Sequence, residues 1–155
     1  MRRREISVNA TTAAAPEIVY ALLADGSTWP SWCSIDSVEL EQAGDPPTEG
    51  VGVIRVNRRG RTVGRDQLLE LVPDRKLKYT TLSGLPFRDY VGEVDLTPAP
   101  GGGTAIRWHS SFFPKMPGTG RVMERGLRRF LQDCATGLAE YAAASSDARS
   151  DVAQP

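Results

Sequence analysis

Hydrophobic and polar positions alternate at the start of this chain, then step by three and four, then alternate again for most of its length. Ile6, Val8 and Ala10 are separated by Ser7 and Asn9, the two-residue period of a half-buried strand. In the APEIVYALLAD that follows, Val19, Leu22 and Leu23 share one helical face. Pro16 suits the first turn of that helix and Asp25-Gly26 ends it. From residue 35 to 113 the pattern predicts strands near 35–42, 51–58, 62–72, 76–82, 87–97 and 104–113. Their separators are GDPPTEG, RRG at 58–60, PDR at 73–75, SGLP at 83–86 and TPAPGGG at 97–103. Connections this short pair neighbouring strands antiparallel, and the lack of helices between them excludes a doubly wound parallel sheet.

The last segment changes period once more. Over 119–144, Met123, Leu127, Phe130, Leu131, Cys134, Leu138 and Tyr141 form one apolar stripe, while Arg121, Arg125, Arg128, Arg129 and Gln132 lie opposite it. The spacing predicts a long amphipathic helix, with Thr119 as a cap accepting a backbone N–H bond. Gly126 and Gly137 each weaken such a helix by ~1 kcal/mol unless close packing needs them, and Gly137, at the edge of the stripe, suggests close approach to the sheet. SSDARSDVAQP is small and polar, so the folded domain is expected over 1–144 and a flexible tail over 145–155. One strand, a helix, a turn, six strands and a long helix make an α+β pattern.

Composition narrows the functions. Nineteen Lys/Arg balance nineteen Asp/Glu, which gives no net field to attract a nucleic-acid backbone or an anionic membrane. Nor does any apolar run approach the ~20 residues of a membrane span. Cys33 and Cys134 are far apart, with no CxxC and a single histidine, so two free buried thiols in a cytoplasmic protein are expected rather than a zinc site or a disulfide. No metal and no cofactor is called for.

Three stretches carry a resemblance: APEIVYALLADGSTWPSWCSIDSVEL, LLELVPDRKLKYTTLSG and EVDLTPAPGGGTAIRWHSSF. Over residues 4–144 the chain resembles the START-like or Bet v 1-like superfamily, also called SRPBCC, and within it the bacterial polyketide cyclase/dehydrase-type proteins. The resemblance implies a helix-grip fold. In that fold a curved seven-stranded antiparallel sheet wraps around the long C-terminal helix, two short helices follow strand 1, and an apolar cavity lies between sheet and helix. Trp29 and Trp32 resemble the short second helix that plugs one end of the groove. A plugging role is favoured over direct ligand contact, because each ring buries 150–250 Å² from a short segment.

The walls of that cavity follow from alternation. Ile106, Trp108, Ser110 and Phe112 share one side of the last strand; Tyr90, Val94 and Leu96 share one side of the strand before; Leu77, Tyr79 and Thr81 do so in 76–82. If Arg65, Gln67, Leu69 and Leu71 face inward, Arg65 brings a charge to the cavity; otherwise it is exposed and pairs with an acidic neighbour. The candidate ligand-binding residues are therefore Trp32, Arg65, Tyr79, Tyr90, Trp108, Ser110 and Phe112, with Met123, Leu127 and Phe130 from the helix. His109 shares the outer face with Arg107 and shows no partner for acid-base work. The Arg58-Arg59-Gly60-Arg61 cluster and Gly101-Gly102-Gly103 read as turns. Phe113 and Met116 are either a lid or surface contacts.

No nucleophile-base pair is visible, so no catalytic residue is assigned and enzymatic activity stays undecided. Three readings remain. The first is binding of a hydrophobic, aromatic, polyketide-like or lipid-like small molecule. The second is a cofactor-independent cyclase or dehydratase in which Arg65 and Tyr79 or Tyr90 polarise carbonyls. The third is a protein-interaction module with a filled interior and a working arginine face at 121–129. A cavity well below ~300 Å³ would favour the third. A homodimer is compatible with all three.

Overall fold

The computed structural model describes residues 2–41 and 49–153, and the turn expected at GDPPTEG falls largely outside them. Strand β1 (Arg4–Thr12) leads to helix α1 (Pro16–Ala24) and a 3₁₀ turn at Gly26–Ser31. Strands β2 (Ser37–Leu40), β3 (Ile54–Arg59), β4 (Thr62–Val72), β5 (Lys76–Ser83), β6 (Phe87–Pro98) and β7 (Thr104–Pro114) follow, then helix α2 (Gly120–Ala153). All seven strands form one open antiparallel sheet in the order β1-β7-β6-β5-β4-β3-β2. This is the expected α+β helix-grip arrangement.

One face of the sheet carries the core. Ile6 and Val8 of β1, Leu77 of β5, Val94 and Leu96 of β6 and Ile106 and Trp108 of β7 are buried at alternate positions. Leu131, Cys134, Ala135, Leu138 and Ala142 of α2 meet them, with Val19 and Leu23 of α1. Burial of each large apolar side chain contributes about 1.5–3 kcal/mol. Helix α2 packs chiefly on β1, β7 and α1. It therefore lies over one side of the sheet, leaving the inner face of β3–β5 to be covered otherwise.

Register shifts between Arg65 and Asp66 and between Leu68 and Glu70 in β4, and between Arg88 and Val91 in β6, mark irregular pairing. Such bulges bend a strand and increase its twist, which curves the sheet toward the helix. They also reset which residues face inward. In β4, Gly64 and Leu68 are buried and Leu71 packs on the core, whereas Leu69 is 40% exposed. Counting back from Leu71 by twos therefore gives the wrong face for Arg65.

Four expectations about the helical parts are corrected. Helix α2 runs on to Ala153, because from Ala142 to Ala153 the sequence has neither glycine nor proline to stop it. Tyr141, the last residue of the apolar stripe, is 38% exposed, and Ala139 and Ala142 are buried there instead. The Thr119 hydroxyl donates to the Met116 carbonyl at 2.6 Å rather than accepting from the helix. At Gly137 the close approach is to the tryptophan turn and not to the sheet: a Cβ there would stand 2.0 Å from the Trp32 carbonyl oxygen.

Cys33 and Cys134 form a disulfide, with Cα atoms 4.6 Å apart, where two free thiols were expected. Sequence distance gave no warning, since the fold carries the residue after Trp32 onto α2 across 101 positions. The cytoplasmic location inferred from free thiols loses that support, because disulfides persist mainly in oxidising compartments. Among the described residues no helix is long and apolar enough to cross a membrane. The loop closed by this bond is long, so Cys134→Ala is expected to lower stability by about 2–4 kcal/mol. A urea midpoint checks this, and reductant should lower the wild-type midpoint by a similar amount. A wild-type midpoint indifferent to reductant would remove the crosslink from the account.

Candidate functional site

Between the sheet and the first half of α2 lies a cavity of about 350 Å³. Its deep wall is aromatic. Trp29 reaches it from the 3₁₀ turn, Trp108 from β7, Tyr79 from β5 and Tyr90 and Phe87 from β6. Gly126, Leu127 and Phe130 of α2 close the other side, and Gly84, Leu85 and Pro86, the β5–β6 turn, form part of the rim.

The two tryptophans of the turn hold this end together. Trp29 and Trp32 have ring centroids 4.7 Å apart, and Trp108 meets Trp29 edge-on at 5.5 Å. Each indole N–H has an acceptor: Trp29 donates to the Leu23 carbonyl, Trp32 to Thr28 Oγ1 and Trp108 to the Tyr79 hydroxyl, at 3.1, 3.1 and 3.2 Å. Trp32 stands behind Trp29, clipped to α2 by the Cys33 disulfide and the Gly137 contact, and does not border the cavity.

Beneath the turn is a buried cation that sequence reading did not single out. Arg55 is 3% exposed, donates to the Leu23 and Ala24 carbonyls at 3.0 Å each, and pairs with Glu49. Its guanidinium lies 5.2 Å from the centre of the Trp29 ring. The last carbonyls of α1, which lack helical partners, are satisfied in this way. The only sequence signal was Arg55 among the apolar residues Val53, Ile54 and Val56.

The cavity's polar groups gather at its inner end. Asp66 accepts from Asn57 Nδ2 at 2.7 Å and from Thr81 Oγ1 at 2.8 Å. Asp66 is half-buried and lines the cavity. Burial pushes the Asp66 pKa up to about 6 against the opposing pull of Thr81, Arg55 and Asn57. Asn57 Oδ1 is buried without a hydrogen-bond partner. A void of about 10 Å³, room for about one water, lies among Asp66, Arg55, Asn57 and Tyr79.

Next to this acid the Tyr79 and Tyr90 hydroxyls are 3.2 Å apart. Burial raises both tyrosines, Tyr90 to about 12 and Tyr79 well beyond its ordinary value, so both stay neutral at physiological pH. Tyr79 already accepts from Trp108, and the pair shares two hydrogens across one mutual bond, which leaves one O–H free to donate. Tyr79 faces Gly92 across the β5–β6 ladder, and a Cβ on Gly92 would stand 2.3 Å from Tyr79 Cζ. Glycine there makes the space the Tyr79 ring fills.

Of the ten expected ligand residues, Tyr79, Tyr90, Trp108, Leu127 and Phe130 line the cavity. Arg65 does not: it points outward from β4 and pairs with Glu41 at 2.8 Å, with 38% of its side chain exposed. Ser110 is buried beside the Tyr90 hydroxyl and does not line the cavity. Phe112 is covered by Phe87 at a centroid distance of 4.5 Å, and Met123 packs half-buried on the core. Phe113 lies by Arg3 and Met116 is exposed, so both are surface contacts rather than a lid. Arg59, expected as part of a solvated turn, borders the cavity with its guanidinium 4.9 Å from the centre of the Phe130 ring.

On the opposite face an open cleft of about 450 Å³ includes Arg3, Glu5, Lys78, Glu93, Arg107 and His109. His109 does have partners here, because Glu93 and Asp95 both lie 2.8 Å from its Nε2, and Lys76 is 3.7 Å from Glu93. This is a cross-strand charge network on the outer face, where parity placed His109.

The open sheet, the long helix and the hollow between them define a START-like, or Bet v 1-like, helix-grip protein. Residues 3–143 match the family described as polyketide cyclase/dehydrase and lipid transport, and the chain belongs to that family. Among solved structures it is similar to the XoxI protein from Bacillus cereus, at 15% identity and TM-score 0.72 over 88% of this chain and 94% of that one. Ara h 8.0201 matches at 17% identity and TM-score 0.71, covering 92% and 99%. A START superfamily protein from Mycobacterium smegmatis matches at 12% identity and TM-score 0.70, covering 94% and 98%. At such identities the likeness is one of fold. No curated protein matches the sequence.

The raised Asp66 pKa fixes the sign of a pH effect. The native state holds the proton more tightly than the unfolded chain, so nothing is lost below pH 3.8 and the full cost is present above about pH 6. Native stability from this group falls as pH rises through that window, by on the order of 3 kcal/mol. Asp66→Asn is expected to raise the urea midpoint at about pH 7.5 and to flatten the stability profile across the window. An unchanged profile would contradict the assignment.

Proposed function

We propose that this protein binds a hydrophobic or aromatic small molecule between its sheet and α2. The observation that carries the reading is the cavity itself: at about 350 Å³ it is within the size range of small-molecule sites, with aromatic walls and few polar groups. A filled interior, which the protein-interaction reading required, does not fit that volume. Binding is favoured over turnover because Arg65, the charge expected to polarise carbonyls together with a tyrosine, faces away from the cavity.

Thermal shift against a panel of aromatic polyketides and fatty acids tests this. A ligand at ~100 times its dissociation constant adds ~2.7 kcal/mol and should raise Tm accordingly. Gly126 offers a control that spares the fold, since it sits within α2, borders the cavity and has no atom within 4 Å of where a Cβ would stand. Gly126→Leu is expected to keep the ligand-free stability or raise it by up to ~1 kcal/mol through helix propensity, with Tm unchanged or higher, while abolishing the ligand-induced shift. Shifts that survive in Gly126→Leu would place binding elsewhere.

A further inference from the structure

Asp66 brings unused acceptor capacity to the inner end of the cavity, since each of its oxygens accepts only one bond. Asn57 Oδ1 also lacks a donor but is sealed from the cavity, so Asn57 serves to hold Asp66 in place through its Nδ2. A buried acceptor left unmade is costly, so a ligand that supplies a donor there gains what an analogue lacking it does not. An ionised carboxylate arriving at the same point would meet a like charge in an enclosed site.

Resting on the cavity reading above, we propose that Asp66, held by Asn57 and Thr81, forms an acceptor pole that selects apolar ring molecules entering with an O–H or N–H group and rejects those that end in a carboxylate. The neighbouring tyrosine pair contributes its one free O–H, so a carbonyl or ether oxygen beside the donor group is accommodated too. This divides the possible ligands of the fold: phenols, enols and ring amines fit, and free fatty acids entering carboxylate-first do not.

Among the described residues the pole's charge is set by a few groups, and Glu49 bears on it only through its pairing with Arg55. Arg55 lies behind Asp66 from β3, Asn57 beside it on the same strand and Arg59 at the mouth. Thr81 and Tyr79 face it from β5, Tyr90 from β6 and Trp29 from the turn, while α2 presents only Gly126, Leu127 and Phe130. Among the described residues Asp66 is thus the one acid on the cavity wall, and its protonation below about pH 6 turns an acceptor into a donor. Selectivity against carboxylates should then relax in acid.

Three probes share one ring system: 2-naphthol, 2-methoxynaphthalene and 2-naphthoate. Titration of the full chain by calorimetry at about pH 7.5 is expected to give 2-naphthol at least about tenfold tighter binding than the methyl ether, with 2-naphthoate weakest. At about pH 5, 2-naphthoate should gain and approach 2-naphthol. In Asp66→Asn the 2-naphthoate penalty should shrink at about pH 7.5 and its pH dependence disappear. Equal affinity for the three probes in wild type, or a ranking that Asp66→Asn leaves unaltered, would overturn the acceptor pole; if Gly126→Leu still abolished binding, the cavity would stand without it. Failure of all three probes to bind would overturn both.

Discussion

The fold depends on a wedge of three tryptophans. Trp29, on a turn of six residues, and Trp32, which caps that turn, meet Trp108 of β7, and the cluster is anchored to α1 by the Trp29 indole and to α2 by Cys33. Helix α2 is pinned over β1 and β7, while the curved strands β3–β5 continue past that line of contact and meet the helix only across the cavity. A straight rod against a bent surface leaves space beside the line of contact, and the wedge closes one end of that space with rigid rings. That is why two of the chain's three tryptophans sit on a turn.

Charge is handled in two layers behind the aromatic wall. Arg55, with Glu49 and the end of α1, is almost fully paired, and such a buried cation is expensive to leave without partners. Asp66 is less completely answered: two donors reach it, Arg55 lies beyond a small void, and burial still keeps its proton unusually tight. The first layer is built for stability. The second faces the cavity, where partial satisfaction leaves chemistry for a ligand to complete.

Much of this was legible in the sequence. Alternation placed Tyr79, Tyr90, Trp108 and Ile106 on the inner face, and the helical stripe placed Leu127 and Phe130 over them, because regular elements keep their period. Asp66 was hidden by the β4 bulges, which break that period and exchange it with Arg65. The disulfide and Arg55 were hidden for another reason: both depend on contacts between segments far apart in the chain, which no local pattern encodes. Trp32, Ser110, Phe112 and Met123 were assigned by type and side correctly as interior, but interior is not the same as cavity wall.

A crystal structure determined under xenon pressure tests the central claim most directly, since xenon occupies apolar hollows. The account predicts xenon density bounded by Tyr79, Trp108 and Phe130, with the tryptophan wedge in place. Phe130 collapsed onto Tyr90 and Trp108, with no xenon between helix and sheet, would contradict it.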